Sequence, residues 1–170
     1  MKLEIGYNPS FEVRKEKYLA NCKDNFTILY LSDLHLNRFS KNMVYKIGNI
    51  ITELNPTILL LGGDYVDSKN GLIYLNSLLA SFAHRQNVFA VAGNHDYSFG
   101  LNEIKTIMTA NNIAWIENNS CKFKFKNTSS LLCKRCKIIM KITKKKKMKK
   151  IQKKFIEQIL YEIIDVSMIQ

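Results

Sequence analysis

The sequence predicts an α/β fold built on a mostly parallel sheet flanked by helices. Three observations carry that expectation. Short apolar runs at about 26–32, 57–61 and 88–92 are continuous rather than alternating, the pattern of strands covered on both faces. Between them lie segments whose apolar residues recur every three or four positions. The polar residues that end the runs, Asp33, Asp64 and Asn94, stand 31 and 30 positions apart, close to the roughly 30 residues of one strand-helix-strand unit. Three parallel strands therefore deliver their polar ends to one edge.

Residues 2–20 alternate loosely around a turn at Asn8-Pro9-Ser10, which reads as an edge hairpin or an extended lead-in. The first core strand follows. Residues 41–54 carry Met43, Val44, Ile47, Ile50, Ile51 and Leu54 on one helical face, and Asn55-Pro56 closes that helix because proline cannot continue it. After the second strand, Gly62-Gly63 allows a sharp turn and a close backbone approach. Ser68-Lys69-Asn70-Gly71 reads as a turn, and a second helix is expected over about 72–84. A third helix is expected over about 101–111, a fourth strand at 113–116, and a half-exposed strand where Lys122 to Lys126 alternates strictly with phenylalanine. The order implies right-handed crossovers.

At 170 residues and 46% apolar content, the chain is long enough to bury a sizeable core. Its apolar runs fall far short of the roughly 20 residues of a membrane span, and glutamates at 4, 12 and 16 argue against a secretory leader, so the expected compartment is the cytoplasm. The four cysteines then read as thiols. The net charge of +12 is unevenly placed: residues 1–120 hold 11 basic and 11 acidic side chains, and residues 121–170 hold 15 and 3. All glycines, prolines and histidines also precede residue 121. Six lysines crowd into residues 144–150, and 151–164 can be drawn as a basic amphipathic helix. That tail is a candidate contact for nucleic acid or an anionic membrane, although such runs are more often solvated. Cys133 and Cys136 have the spacing of a zinc half-site, without a second half nearby.

The strand ends read Asp33-x-His35, Gly63-Asp64-x-x-Asp67 and Gly93-Asn94-His95-Asp96. Two hard cations close together need a bridging carboxylate and separate oxygen and nitrogen ligands for each. Asp64, on the middle segment, is placed to bridge; Asp33 and His35 suit the first ion and the amide oxygen of Asn94 the second. His95 is left as a catalytic residue free to meet a phosphate oxygen or the leaving group, oriented by Asp96. Asp67 either supports the site from outside the ligand set or caps the turn before the next helix.

In order and spacing, these blocks resemble the first three motifs of the calcineurin-like metallophosphoesterase superfamily, D-x-H, G-D-x-x-D and G-N-H-D/E, over about residues 26–120. The resemblance implies the N-terminal half of an αββα sandwich and a dinuclear Mn, Fe or Zn site that hydrolyses phosphomonoesters or phosphodiesters, with a small phosphate ester, a nucleotide or a phospholipid as substrate. It also implies a later histidine and a Gly-His-x-His motif, whereas no histidine follows His95. The expectation is a truncated, impaired phosphoesterase domain at 1–130 with ions weakly held or absent, the alternative being a non-catalytic remnant or a protein that binds nucleic acid or anionic lipid through its basic tail. Residues 131–170 are then a lysine-rich helical or disordered tail outside the native domain, of the composition that an out-of-frame AT-rich sequence gives.

Overall fold

The computed structural model describes residues 11–20, 26–117, 120–125, 128–133 and 159–168. The turn at residues 8–10, Cys22, Cys136 and the lysine block at 144–150 lie outside the described residues. Along the chain run β1 (Phe11–Ala20), β2 (Phe26–Ser32), α1 (Lys41–Leu54), β3 (Ile58–Leu61), α2 (Lys69–Ala80), β4 (Val88–Ala90), α3 (Asn94–Phe99), α4 (Leu101–Ala110), β5 (Ala114–Trp115), β6 (Ser120–Phe125), β7 (Thr128–Cys133) and β8 (Ile159–Met168). A six-stranded sheet has the order β1-β8-β2-β3-β4-β5, and β6 and β7 form a separate hairpin. From β8 to β5 every pairing is parallel; β1 alone runs the other way.

The expected mostly parallel α/β sheet is therefore present, and its core shows why those runs are apolar on both faces. Leu29, Leu31, Leu59, Leu61, Val88 and Ala90 join Ile47 and Ile51 of α1, Leu75, Leu78 and Leu79 of α2, and Ile104 and Met108 of α4 in one cluster. The alternate residues Ile28, Ile58, Leu60 and Phe89 are buried as well, outside that cluster. Each such side chain removed from water contributes about 1.5–3 kcal/mol, so the central strands are anchored from two sides.

Helix ends follow local chemistry. Asn55 takes a left-handed conformation at φ 41° and donates its N–H to Ile51, closing α1 ahead of Pro56 as the sequence predicts. The second helix starts three residues earlier than expected, because the Ser68 hydroxyl accepts the Gly71 N–H and so caps it. Gly71 belongs to the helix rather than to a turn, and its lack of a side chain has a packing reason: a Cβ there would fall on the Leu36 carbonyl. The same helix stops at Ala80, after which Phe82, Ala83 and Arg85 bond carbonyls three residues back.

Two further differences matter. Residues 94–99, between the third core strand and the expected 101–111 helix, form the short helix α3. Residues 159–168 are a strand, not the helix that the three-to-four spacing of isoleucines suggests: β8 lies between β1 and β2, pairing Phe11 with Met168 and Phe26 with Tyr161. The segment ILYEIIDVSM is rich in β-branched and aromatic residues, which favour a pleated surface over a helix. Residues 159–168 thus share a sheet with β2. The lead-in before residue 20 is a single strand over its described part.

Leu61→Ala should lower stability by about 2–5 kcal/mol, the range for a buried leucine deleted from a packed core, as read by urea unfolding. Tyr45→Ala, on the exposed face of α1, is the control and should change it by less than about 0.5 kcal/mol.

Candidate metal centre

The carboxyl ends of β2, β3 and β4 face one edge, and the loops beyond them stay in contact. Past Ser32 the first loop continues to bond the second: Asp33 donates its N–H to Gly63 O at 3.1 Å, His35 to Asp64 O at 3.0 Å and Leu36 to Tyr65 O at 2.9 Å, while Asp67 donates back to Leu36 O at 2.9 Å. Leu34 and Leu36 are buried in the core, so the residues that alternate with them, Asp33 and His35, emerge together on the other side. This is the physical reason for the one-residue gap in Asp-x-His. Asp33, His35 and Asp64 hold φ values of 55°, 44° and 56°, conformations that L residues seldom adopt and that cost of order 1–3 kcal/mol each. Strain at three adjacent loop positions is typical of a site built for a purpose.

The second and third loops are joined through glycine. Gly63 sits at φ 100°, and a Cβ there would overlap the backbone of Gly93. A Cβ on Gly93 would in turn fall on the Asp64 carboxylate. Across this contact Asp64 Oδ1 accepts the N–H of His95 at 2.8 Å. The Tyr65 hydroxyl, fully buried, reaches the carbonyls of Leu61 at 3.0 Å and Val91 at 2.7 Å, so the ends of β3 and β4 are also bridged.

Two groups of donor atoms result. One ligand atom each from Asp33, His35 and Asp64 lies within 4.8 Å of the other two, and the same holds for His35, Asp67 and His95. His35 turns Nδ1 to Asp67 Oδ1 at 2.7 Å, which leaves Nε2 buried and without a hydrogen-bond partner. A buried imidazole nitrogen seldom goes unpaired. His35 also shares a donor group with the carboxylates of Asp33 and Asp64, an oxygen-and-nitrogen set of the kind that Mn, Fe or Zn takes, and a carboxylate on one ring nitrogen orients such a ligand. The residues present therefore fit a divalent ion. The His35 and His95 rings meet edge to face, with centroids 5.1 Å apart.

Of the residues singled out by sequence, Asp33, His35 and Asp64 come together, and His95 stands beside them at the mouth of the site. Asn94 is exposed and opens α3. Of the two roles open to Asp67, its bond to His35 supports the first, since Ser68 is the residue that caps α2. Asp96 requires a correction. Instead of orienting His95, its buried carboxylate accepts backbone N–H groups from Tyr65 on Oδ1 and from Asp64 and Gly93 on Oδ2, at 2.9, 2.9 and 2.8 Å. Burial pushes its pKa up, and the three amides oppose that shift. The sequence signal for this role is an acid three residues beyond a glycine N-cap, half of a capping box.

Loops at the carboxyl edge of a parallel sheet that bring two donor groups together through the shared His35 give the chain the candidate centre of a metal-binding α/β protein. The chain belongs to the calcineurin-like phosphoesterase family, whose sequence profile matches residues 26–158. It is 36% identical over 96 residues to the phosphodiesterase YaeI of Escherichia coli, covering 53% of this chain and 35% of that protein. It is 32% identical over 101 residues to an uncharacterized metallophosphoesterase of Aquifex aeolicus, covering 55% and 39%. A third relative, the UDP-2,3-diacylglucosamine pyrophosphatase LpxG of Chlamydia muridarum, is 35% identical over 77 residues, covering 42% and 22%. The chain thus spans well under half the length of these relatives. Among the described residues no helix is long and apolar enough to cross a membrane.

Gly63→Ala combines a disfavoured φ with a backbone collision, so a loss of at least about 2 kcal/mol is expected by urea unfolding. Mn2+ binding by calorimetry should weaken with it, because Asp64 follows directly. Unchanged affinity would show that the contact between the two glycine loops does not shape the site.

Proposed function

We propose that the chain is a metal-dependent hydrolase of phosphate monoesters or diesters, acting at the carboxyl edge of the sheet. The observation that carries the reading is the buried, unpaired Nε2 of His35, a ring that Asp67 holds by its other nitrogen and that shares a donor group with Asp33 and Asp64. Divalent ions bound there would offset charge on phosphoryl oxygens and lower the pKa of water. Asp33 and His35 would hold a first ion, and Asp64 and the amide oxygen of Asn94 would supply oxygen ligands to it or to a second. His95 would give a proton to the leaving oxygen.

The turn after His35 supports an anionic substrate. Asn37 Nδ2 bonds His35 O at 3.3 Å, the Asn37 N–H meets Ser40 Oγ at 3.0 Å, the Phe39 N–H meets Asn37 Oδ1 at 2.9 Å, and the Tyr74 hydroxyl meets Arg38 O at 3.3 Å. That fixed turn presents Arg38 with its guanidinium 4.5 Å from the centre of the exposed Phe39 ring. Arg38 has no carboxylate partner among the described residues. An arginine three residues from a metal ligand is suited to the spare oxygens of a phosphodiester. The names of the Escherichia coli and Chlamydia muridarum relatives, a phosphodiesterase and a nucleotide-sugar pyrophosphatase, favour a nucleotide or phospholipid over a simple monoester.

Mn2+-dependent release of p-nitrophenol from its phosphate mono- and diester is the test. Asp64→Asn should reduce turnover by at least about 100-fold, since loss of groups that only orient ligands already costs 10–100-fold. Arg38→Ala should raise KM about tenfold with kcat nearly unchanged, the loss of one charged contact. A chelator should abolish the reaction and added Mn2+ restore it. No turnover and no Mn2+ uptake by the full chain would remove the reading.

A further inference from the structure

Asp96 is fully buried, and its carboxylate is occupied by backbone alone: Tyr65 N–H on one oxygen, Asp64 and Gly93 N–H on the other. Two of these donors belong to the loop after β3 and one to the loop after β4. The side chain therefore spans both loops from a single residue of α3. One donor is the amide of Asp64 itself, the residue held at φ 56°, whose own carboxylate accepts the N–H of His95. The connections close a ring: Asp96 grips the Asp64 backbone, Asp64 grips the His95 backbone, and His95 precedes Asp96 in the chain.

A carboxylate bonded to three amides is stronger and more directional than neutral contacts would be. It is well suited to hold a strained loop residue in a conformation it would otherwise leave. We propose that Asp96 is a positioning residue that fixes the Asp64 carboxylate and His95 relative to one another, so that affinity for divalent ions depends on a group that does not touch them. The proposal rests on the metal-dependent reading above. An amide in place of the carboxylate presents an NH2 group to at least one backbone N–H, so Asp96→Asn loses one or two of the three bonds. Asp96→Glu keeps both acceptors.

The experiment measures Mn2+ affinity of the full chain by calorimetry, alongside far-UV circular dichroism and urea unfolding. Asp96→Asn should bind Mn2+ at least tenfold more weakly, and Asp96→Glu should return to within threefold of the parent. Tyr65→Phe, which removes the hydroxyl bridging β3 and β4 but leaves all three amides in place, should lose stability while keeping its affinity. Asp96→Asn binding within twofold of the parent, or Tyr65→Phe losing as much affinity as Asp96→Asn, would overturn the proposal. Amide hydrogen exchange on the parent chain decides the matter if Asp96→Asn does not fold. Slow exchange at Asp64, Tyr65 and Gly93 without added ion is expected, and exchange as fast as at the exposed Arg38 would overturn it. Should the parent itself take up no Mn2+, the functional reading falls, and the exchange result alone judges the anchor.

Discussion

One carboxylate surrounded by backbone N–H groups is the constraint on which the site depends. Loops at the ends of parallel strands have no ladder to hold them, and their polar backbone must be satisfied some other way. Here the first loop bonds the second directly, and the second is joined to the third through Asp96. Two glycines, Gly63 and Gly93, make the approach possible by leaving no side chain in the gap. The donor atoms of Asp33, His35 and Asp64 converge because the backbones beneath them are already fixed. Preorganisation of this kind avoids the cost of ordering the loops when a ligand arrives.

Much of this was legible in the chain itself, for physical reasons. The central strands could be read because a strand covered on both faces must be apolar at every position, and residues 28–31, 58–61 and 88–90 are. The site could be read because polar groups at the end of such a run need a purpose, and three such ends recurred at a strand-helix-strand interval. Asp96 was misjudged because sequence adjacency to His95 suggested a side-chain partner, whereas the turn into α3 points its carboxylate back at the loop backbones. The start of α2 was displaced because Gly71 reads as a turn residue when the neighbouring Leu36 carbonyl is out of view.

The C-terminal strand was the largest departure. Isoleucines at 159, 163 and 164 satisfy a helical repeat as well as a strand pattern, and periodicity alone does not separate the two in a short apolar segment. What decides is the partner: β1 and β2 leave a place between them, and residues 159–168 pair along both. The family match to residue 158 likewise runs past the composition change near residue 130.

That placement sets an order of events during synthesis. Within the sheet β1 pairs with β8 alone, and the residues it meets lie 139 to 157 positions downstream, from Ala20 opposite Ile159 to Phe11 opposite Met168. The nascent chain leaves the ribosome with β1 unmatched, while β2 to β5 can zip together from neighbouring segments. Such long-range closure is slow and leaves an open edge in the interval. The charged Arg14 and Lys15 in β1 discourage the unmatched strand from recruiting another chain before β8 emerges.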